Sequence, residues 1–204
     1  PNANPQDPPQ TTAYSYATSS NRLISKNGQP VSYTANGNIS AMDNIGYEYD
    51  VQNRISTASN LAGQVASYRY NGLGERTVKT LAGGNTILFT YNNQGQLLHE
   101  SEYDNTGTIT QQRSYIWLGD MPVAYAQTEN TTTDFIYLHS DHLNSPRVAT
   151  NQAGNIVWRW RSDAFGYQGI EYLGGITYKI GLRFPGQYFD EESGGYYNYY
   201  RDYD

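Results

Sequence analysis

Between Tyr70 and Leu97 the chain reads YNGLGERTVKTLAGGNTILFTYNNQGQL, and this stretch decides the fold class. A tyrosine opens each half, Asn and Gly residues follow, and a branched apolar residue comes next. The same order recurs in YATSSNRL from Tyr16, YTANGNI from Tyr33, YDVQNRI from Tyr49 and YDNTGTI from Tyr103. With Tyr70 and Tyr91 included, the starts lie 17, 16, 21, 21 and 12 residues apart. Such a unit generates hairpins. Tyr ends one strand, the Asn/Asp/Gly cluster supplies positive φ at the turn, and Ile or Leu opens the returning strand. Strands of five to seven residues would each span about 20 Å. Units of this kind stack side by side and bury their inward faces against neighbours. No segment keeps apolar residues at three-to-four spacing for three turns, so no helix is expected.

Composition points the same way. Tyr accounts for 21 of 204 residues and Gly for 20, while charged residues are only 16%. Tyrosine prefers strands and carries its own hydroxyl, so wide aromatic faces can be buried although the apolar fraction is 37%. A net charge of −6 argues against a nucleic-acid partner, which would require a clustered basic surface. The chain has no cysteine, which excludes disulfides, thiol catalysis and Cys-based zinc sites. No apolar run is long enough to span a bilayer as a helix, and the first residues lack the pattern of a signal peptide. Residues 1–12 contain Pro1, Pro5, Pro8 and Pro9 among Asn, Gln and Asp, a mixture read as a linker. The chain begins with Pro and no Met, as a piece of a longer protein would. Three regions are expected: this linker, a repeat sheet over 13–137, and a non-repeating segment over 138–204.

That last segment contains LHSDHLNSPRVATNQAGNIVWRWRSDAFG from Leu138 and LRFPGQYFDEESGGYYNYYRDYD from Leu182. Three blocks stand out. The first is Asp141, His142, Leu143, Asn144, Ser145, Pro146 and Arg147. The second is Trp158, Arg159 and Trp160 with Asp163, Ala164, Phe165 and Gly166. The third is Arg183, Phe184, Pro185, Gly186, Gln187, Tyr188 and Asp190. In this order they resemble the core segment that closes the repeat array in RHS/YD-repeat proteins, the family of bacterial polymorphic toxins and insecticidal toxin-complex C subunits. The tyrosine-led units upstream resemble YD repeats, although only Tyr49-Asp50 and Tyr103-Asp104 keep the literal dipeptide.

The resemblance implies an all-β fold: short antiparallel hairpins winding into part of a large curved shell, or cocoon, closed by a C-terminal core or plug segment. It implies a structural role in enclosing a C-terminal toxin or effector. The partners would be the rest of the same polypeptide's shell, the enclosed effector and delivery-machinery proteins. The setting would be bacterial, either secreted, delivered by a secretion system or at the cell surface. A mean hydropathy of −0.73 agrees with a polar, tyrosine-rich inner wall. About twelve to sixteen short strands are too few to enclose a domain-sized cargo, because barrel diameter grows with strand number. The first strands are therefore expected to leave an exposed edge.

In the family, the sequence after YNYYRDYD continues to a site of self-cleavage that uses carboxylates assisted by an arginine. By resemblance Arg201 matches that arginine, and Asp202 and Asp204 occupy the first acidic positions. A two-carboxylate mechanism needs one acid protonated and one ionised, and this stretch carries at most half of it. The chain alone is thus not expected to be an enzyme. The bland alternative pairs Arg201 with Asp202 or Asp190. Gly195 departs from the family, whose members carry a bulky apolar residue there.

Other candidates have structural readings. His139, Asp141 and His142 lie within four residues, but strand alternation separates them, so a turn held by backbone bonds to Asp141 and His142 is favoured over a metal site. Asn144 would supply positive φ in that turn. Alternation puts Trp158 and Trp160 on one face and Arg159 and Arg161 on the other. The indoles would be core, with the arginines paired to acids such as Asp163. A stacked indole face could also bind sugar rings. The second functional reading is a surface carbohydrate- or cell-wall-binding repeat module, since aromatic and Gly units of about twenty residues also build cell-wall-binding solenoids. Asp190, Glu191 and Glu192 precede a Gly-Gly turn and read as a solvated loop. No cofactor and no metal are expected.

Overall fold

The computed structural model describes residues 11–163, 166, 169–203. Most of the linker, together with Ala164, Phe165 and Asp204, lies outside the described residues. The chain divides into two compact units, Pro1–Tyr68 and Arg69–Asp204. All the regular structure among the described residues is β. A small three-stranded sheet is formed by β1 (Tyr14–Tyr16), β2 (Leu23–Lys26) and β3 (Gln29–Pro30).

A fourteen-stranded antiparallel sheet follows the chain without a crossover from β4 to β17. Its strands are β4 (Ser32–Tyr33), β5 (Ile39–Met42), β6 (Ile45–Tyr49), β7 (Ile55–Asn60), β8 (Gly63–Tyr70), β9 (Arg76–Leu81) and β10 (Thr86–Tyr91), then β11 (Leu97–Tyr103), β12 (Ile109–Leu118), β13 (Met121–Glu129), β14 (Thr132–Ser140), β15 (Pro146–Thr150), β16 (Ile156–Trp160) and β17 (Ile170–Tyr172). The last sheet holds β18 (Tyr188–Phe189), β19 (Tyr196–Asn198) and β20 (Arg201–Tyr203). The twenty strands among the described residues exceed the number expected, because several are only two or three residues long. The large sheet also runs on past residue 138 through β15, β16 and β17, so the non-repeating segment begins as sheet.

The repeat geometry explains why Tyr is followed by Asp or Asn. In the ladders Tyr33 faces Ile39, Tyr49 faces Ile55, Tyr91 faces Leu97 and Tyr103 faces Ile109. After Tyr70 the returning strand opens at the same spacing, with Arg76 in place of a branched apolar residue. Between each pair lies one turn. At Asn92, the amide N–H donates to Gln96 O at 3.0 Å and the carbonyl accepts from Gly95 N at 3.1 Å. Its side-chain Oδ1 accepts from Gln94 N at 3.0 Å and Gln96 N at 2.9 Å. Asp50, Asn71, Asp104, Asp141 and Asn151 accept from the amides two and four residues on in the same way. An Asp or Asn here satisfies amides that the ladder leaves over, as in an Asx turn. The fourth turn residue has positive φ in each case: Asn53, Gly74, Gly95, Gly107, Asn144 and Gly154. The tyrosines add a tie between strands. Tyr33 and Tyr49 each donate a hydroxyl to the carbonyl ten residues upstream, Leu23 O at 2.6 Å and Ile39 O at 2.7 Å.

Within the second unit one face of the sheet carries a core of Ile87, Phe89, Tyr115, Tyr125, Ile136, Leu138, Ala149, Trp158 and Trp160. Tyr178, Ile180, Leu182, Tyr188 and Tyr197, from the end of the chain, pack against it. Burying aromatic side chains of this size is the main stabilising contribution.

Candidate functional site

The site is the contact between the C-terminal segment, 177–203, and the buried face of β9 to β13. The ladders set rows of inward side chains across the sheet. Phe89 stands beside Glu100, Glu100 beside Arg113, and Arg113 beside Gln127, while Tyr115 stands beside Tyr125. The first row thus carries charges although it is buried.

The segment satisfies those groups as it crosses them. Gln127 Nε2 donates to Thr177 O at 3.1 Å, and Lys179 N donates to Gln127 Oε1 at 3.3 Å. Gly181 N donates to Tyr115 Oη at 3.2 Å. Glu100, with no exposed surface, accepts from Tyr115 Oη at 2.7 Å and Tyr188 Oη at 2.8 Å. Arg113 Nη2 lies 2.7 Å from Glu102 Oε2. Desolvation favours its neutral form, yet the adjacent Glu100 charge outweighs this and holds its pKa above the ordinary arginine value.

Further on, Asp190 closes the segment onto β9. Arg76 Nη1 and Nη2 donate to its two oxygens at 2.6 and 2.9 Å, and Lys79 Nζ adds a bond at 2.9 Å. Lys79 also reaches Glu192 at 3.2 Å. Desolvation opposes ionisation of Asp190, but Arg76 and Lys79 prevail and hold the carboxyl below the usual aspartate value. The solvated acidic loop expected at 190–192 is therefore corrected at Asp190, which is 4% exposed. Its partners lie more than a hundred residues upstream, where local sequence gives no sign of them.

The β18–β20 hairpins rest on two repeat turns. Tyr197 Oη accepts from Arg76 N at 2.8 Å and donates to Gly74 O at 3.2 Å. Tyr200 Oη donates to Leu73 O at 3.1 Å, and Tyr199 Oη donates to Gly95 O. A Cβ added at Gly74 would sit 2.8 Å from the Tyr200 hydroxyl, and one at Gly95 would collide with that of Tyr199. These two glycines are needed for approach as well as for their positive φ.

Asp141 caps its turn, and its Oδ2 accepts from Arg147 Nε at 2.7 Å. Burial works to raise its pKa, but the Arg147 bond and two backbone amides bring it below the usual value. Ser145 and Pro146 are fully buried behind that turn, and Asn144 has φ 61°. His139 bonds Thr150 at 2.9 Å, away from Asp141, so no metal-binding arrangement is built there. Trp158 and Trp160 are both buried, 0% and 2% exposed, which makes them core and leaves neither indole free to stack on a sugar. Arg159 and Arg161 bond an acid, Glu171, at 2.9 and 3.1 Å. Gly166 carries the carbonyl bonded by Tyr196, and an added Cβ there would lie 2.9 Å from Phe184. Pro185 and Gly186 form the turn closed by Gln187 N donating to Phe184 O at 2.8 Å.

At the far end, Arg201 pairs with Asn198 across the β19–β20 ladder and Asp202 with Tyr197. Asp190 is taken by Arg76 and Lys79, so the pairing of Arg201 with Asp190 is replaced. The Asp202 carboxyl is pushed up to about 7, first by desolvation and then by the Asp190 charge, against Arg76. The residue as a whole is exposed, so water screens part of the desolvation. Asp204, the other member of the expected half-site, lies outside the described residues.

This architecture defines an antiparallel sheet closed by a C-terminal segment, and its likeness among solved structures is to toxin-complex components. The chain superposes on part of the Photorhabdus luminescens Tc holotoxin pore with a TM-score of 0.72, at 18% identity, over 96% of this chain and 10% of that one. For a TcdB2–TccC3 complex the score is 0.69, at 17% identity, over 94% and 10%. These likenesses establish the fold. Among curated proteins, the tRNA3(Ser)-specific nuclease WapA of Bacillus spizizenii is 28% identical over 182 residues, 87% of this chain. The toxin protein Tse5 of Pseudomonas aeruginosa is 39% identical over 67 residues, 33% of this chain. The double-stranded DNA deaminase toxin A of Burkholderia cenocepacia is 29% identical over 188 residues, 78% of this chain. The chain spans only 7%, 5% and 13% of these relatives' lengths. No family model matches the sequence. Among the described residues no helix is long and apolar enough to cross a membrane.

Proposed function

We propose that this chain is a wall-and-closure segment of an RHS/YD-repeat toxin carrier: a non-catalytic piece of a β-shell that encloses an effector encoded downstream. The observation that carries this is the docking of 177–203 on the sheet through buried ion pairs and tyrosine hydroxyls. A module needed only as an edge of a repeat array would not require a charged face to be covered by its own last residues. The fold shared with the Tc toxin structures supports the reading, as do relatives named as toxins. On it, the partners are the rest of the parent shell, the enclosed effector and the delivery machinery, in a bacterial secreted or surface setting. The linker, repeat and core regions would divide near residues 12 and 138. The β20 strand would present Arg201, Asp202 and Asp204 as the first half of a self-cleavage site.

The test is to express the parent polypeptide through its natural end and digest it with a broad-specificity protease. Enclosure predicts that the C-terminal effector survives as a protected fragment while the wall is intact. Immediate loss of the effector, at the rate of the isolated effector domain, would refute it. The mass of the products also reports cleavage, which Arg201→Ala should abolish.

A further inference from the structure

The β12–β13 turn and the C-terminal segment border a cavity of about 400 Å³ in the second unit, a size that suits a small organic ligand. Its two ends differ in exposure. Leu97, Leu182 and Tyr188 are buried and form the floor, whereas Gln94, Asp120 and Asn144 are exposed and form the mouth. Between them stand the half-buried rings of Trp117 and Tyr199, each tied by its tip to another residue of the wall. Trp117 Nε1 donates to Leu97 O at 2.9 Å, and Tyr199 Oη donates to Gly95 O. With those polar atoms engaged, both side chains offer ring surface to whatever enters.

Charge is divided between the same two ends. Asp120 belongs to a two-residue hairpin turn between Leu118 and Met121, with Gly119 at φ 59°. Gln96, itself a wall residue, steadies that turn by donating from Nε2 to Gly119 O at 2.8 Å. The same Nε2 reaches Asp120 Oδ1 only at 3.4 Å, and among the described residues no cation pairs with this carboxylate. Asp120 and Trp117 also border a shallower hollow on the other side, so the acid is reachable from water. The cation of the wall, Arg183, is at the opposite extreme. It is 3% exposed, and its Nη1 donates to Ile180 O and Leu182 O, both at 2.7 Å. Its charge opposes a second cation at the floor, and the Asp120 charge attracts one at the mouth.

We propose that this cavity binds a small aromatic amine, with its ring inward and its ammonium group at the mouth. The ring would lie among Leu182, Phe184 and Tyr199. The ammonium would meet the Asp120 carboxylate beside Trp117, whose indole adds cation–π attraction.

The experiment titrates the full 204-residue chain with tryptamine, tryptophol and indole-3-acetate, which carry the same ring with a cationic, neutral and anionic tail at neutral pH. Calorimetry at low salt is the readout. Tryptamine should bind about two- to fivefold more tightly than tryptophol, the range of an exposed ion pair, and indole-3-acetate more weakly than either. Asp120→Asn, a change that suits a tight hairpin turn, should bring tryptamine and tryptophol to equal affinity. Trp117→Leu should weaken both severalfold while the far-ultraviolet dichroism stays native; if that variant does not fold, Asp120→Asn decides the matter. Equal binding of tryptamine and tryptophol by the unaltered chain, tighter binding of indole-3-acetate, or no binding at millimolar concentration overturns the proposal. So does a preference for tryptamine that persists in Asp120→Asn, or unchanged affinity in folded Trp117→Leu.

Discussion

Arg76 and Asp190 stand 114 residues apart in the chain and meet as a two-bond ion pair, at 2.6 and 2.9 Å, with both side chains nearly out of water. The pair fixes where the C-terminal segment lies on β9. Because Lys79 shares the carboxylate, Asp190→Ala would take this acid from two buried cations, of which Lys79 keeps its bond to Glu192. The expected loss is about 3–5 kcal/mol, the usual effect of removing one partner from a buried pair. Arg159→Ala, which breaks a partly exposed pair with Glu171, should cost about 1 kcal/mol or less. Urea unfolding of the two variants checks the difference, and similar midpoints would show that the buried pair does not hold the segment.

Gly95 and Gly107 have nearly the same backbone, φ 78° and 85°, in equivalent repeat turns. An added Cβ meets nothing within 4 Å at Gly107, whereas at Gly95 it strikes the Tyr199 hydroxyl. Gly107→Ala should therefore cost only the left-handed backbone penalty, about 1–2 kcal/mol. Gly95→Ala should cost that and also lift the β19–β20 hairpin. Limited trypsin digestion reads the second effect as faster cutting after Arg201 in Gly95→Ala alone. Equal cutting in both variants would mean that Tyr199 is not seated on the turn.

The strands and their turns were legible because their causes are local. An Asp or Asn at the first turn position and a positive-φ residue three places on satisfy the backbone within five residues, so YDVQNRI announces its own hairpin. The site was legible only in part. Asp190 reads as a loop acid because Gly194 and Gly195 follow it, and its partners on β9 come from a different repeat. Lys79 faces the core because it stands beside Ile87 in the ladder, a register that the sequence does not state. An inward lysine needs a carboxylate, but nothing in the order of residues says which one. Trp158 and Trp160 were placed on one face by alternation alone, whereas their arginine neighbours found Glu171, set by the return of β17.

Asp141 and Arg147 give a prediction about the turn that precedes β15. Asp141 Oδ1 accepts two amides and Oδ2 the guanidinium. Asp141→Asn keeps one amide acceptor set and loses the charge, so it should cost less than Asp141→Ala, which orphans the amides of Leu143 and Ser145. The expected order in thermal melting is native, then Asn, then Ala, with the Ala loss about 1–3 kcal/mol. An Asn variant as unstable as Ala would place the whole contribution in the Arg147 pair.

Asp190 and Asp202 predict opposite pH dependences for the docked segment. The folded pKa of Asp190 is depressed, so its contribution is fully present above the ordinary aspartate value of 3.8 and is lost as pH falls through the lower folded value. That of Asp202 is raised to about 7, so folding favours its neutral form, and the contribution present below 3.8 declines as pH rises through about 7. Melting temperature should thus be highest in the mildly acidic range, falling on the acid side by way of Asp190 and drifting down towards neutrality by way of Asp202. Asp202→Asn should flatten the drift between about pH 4 and 7 and leave the acid limb in place, because an amide cannot take on the charge that Asp190 repels. A drift that persists in Asp202→Asn would assign it to another group and return Asp202 to an ordinary surface carboxylate.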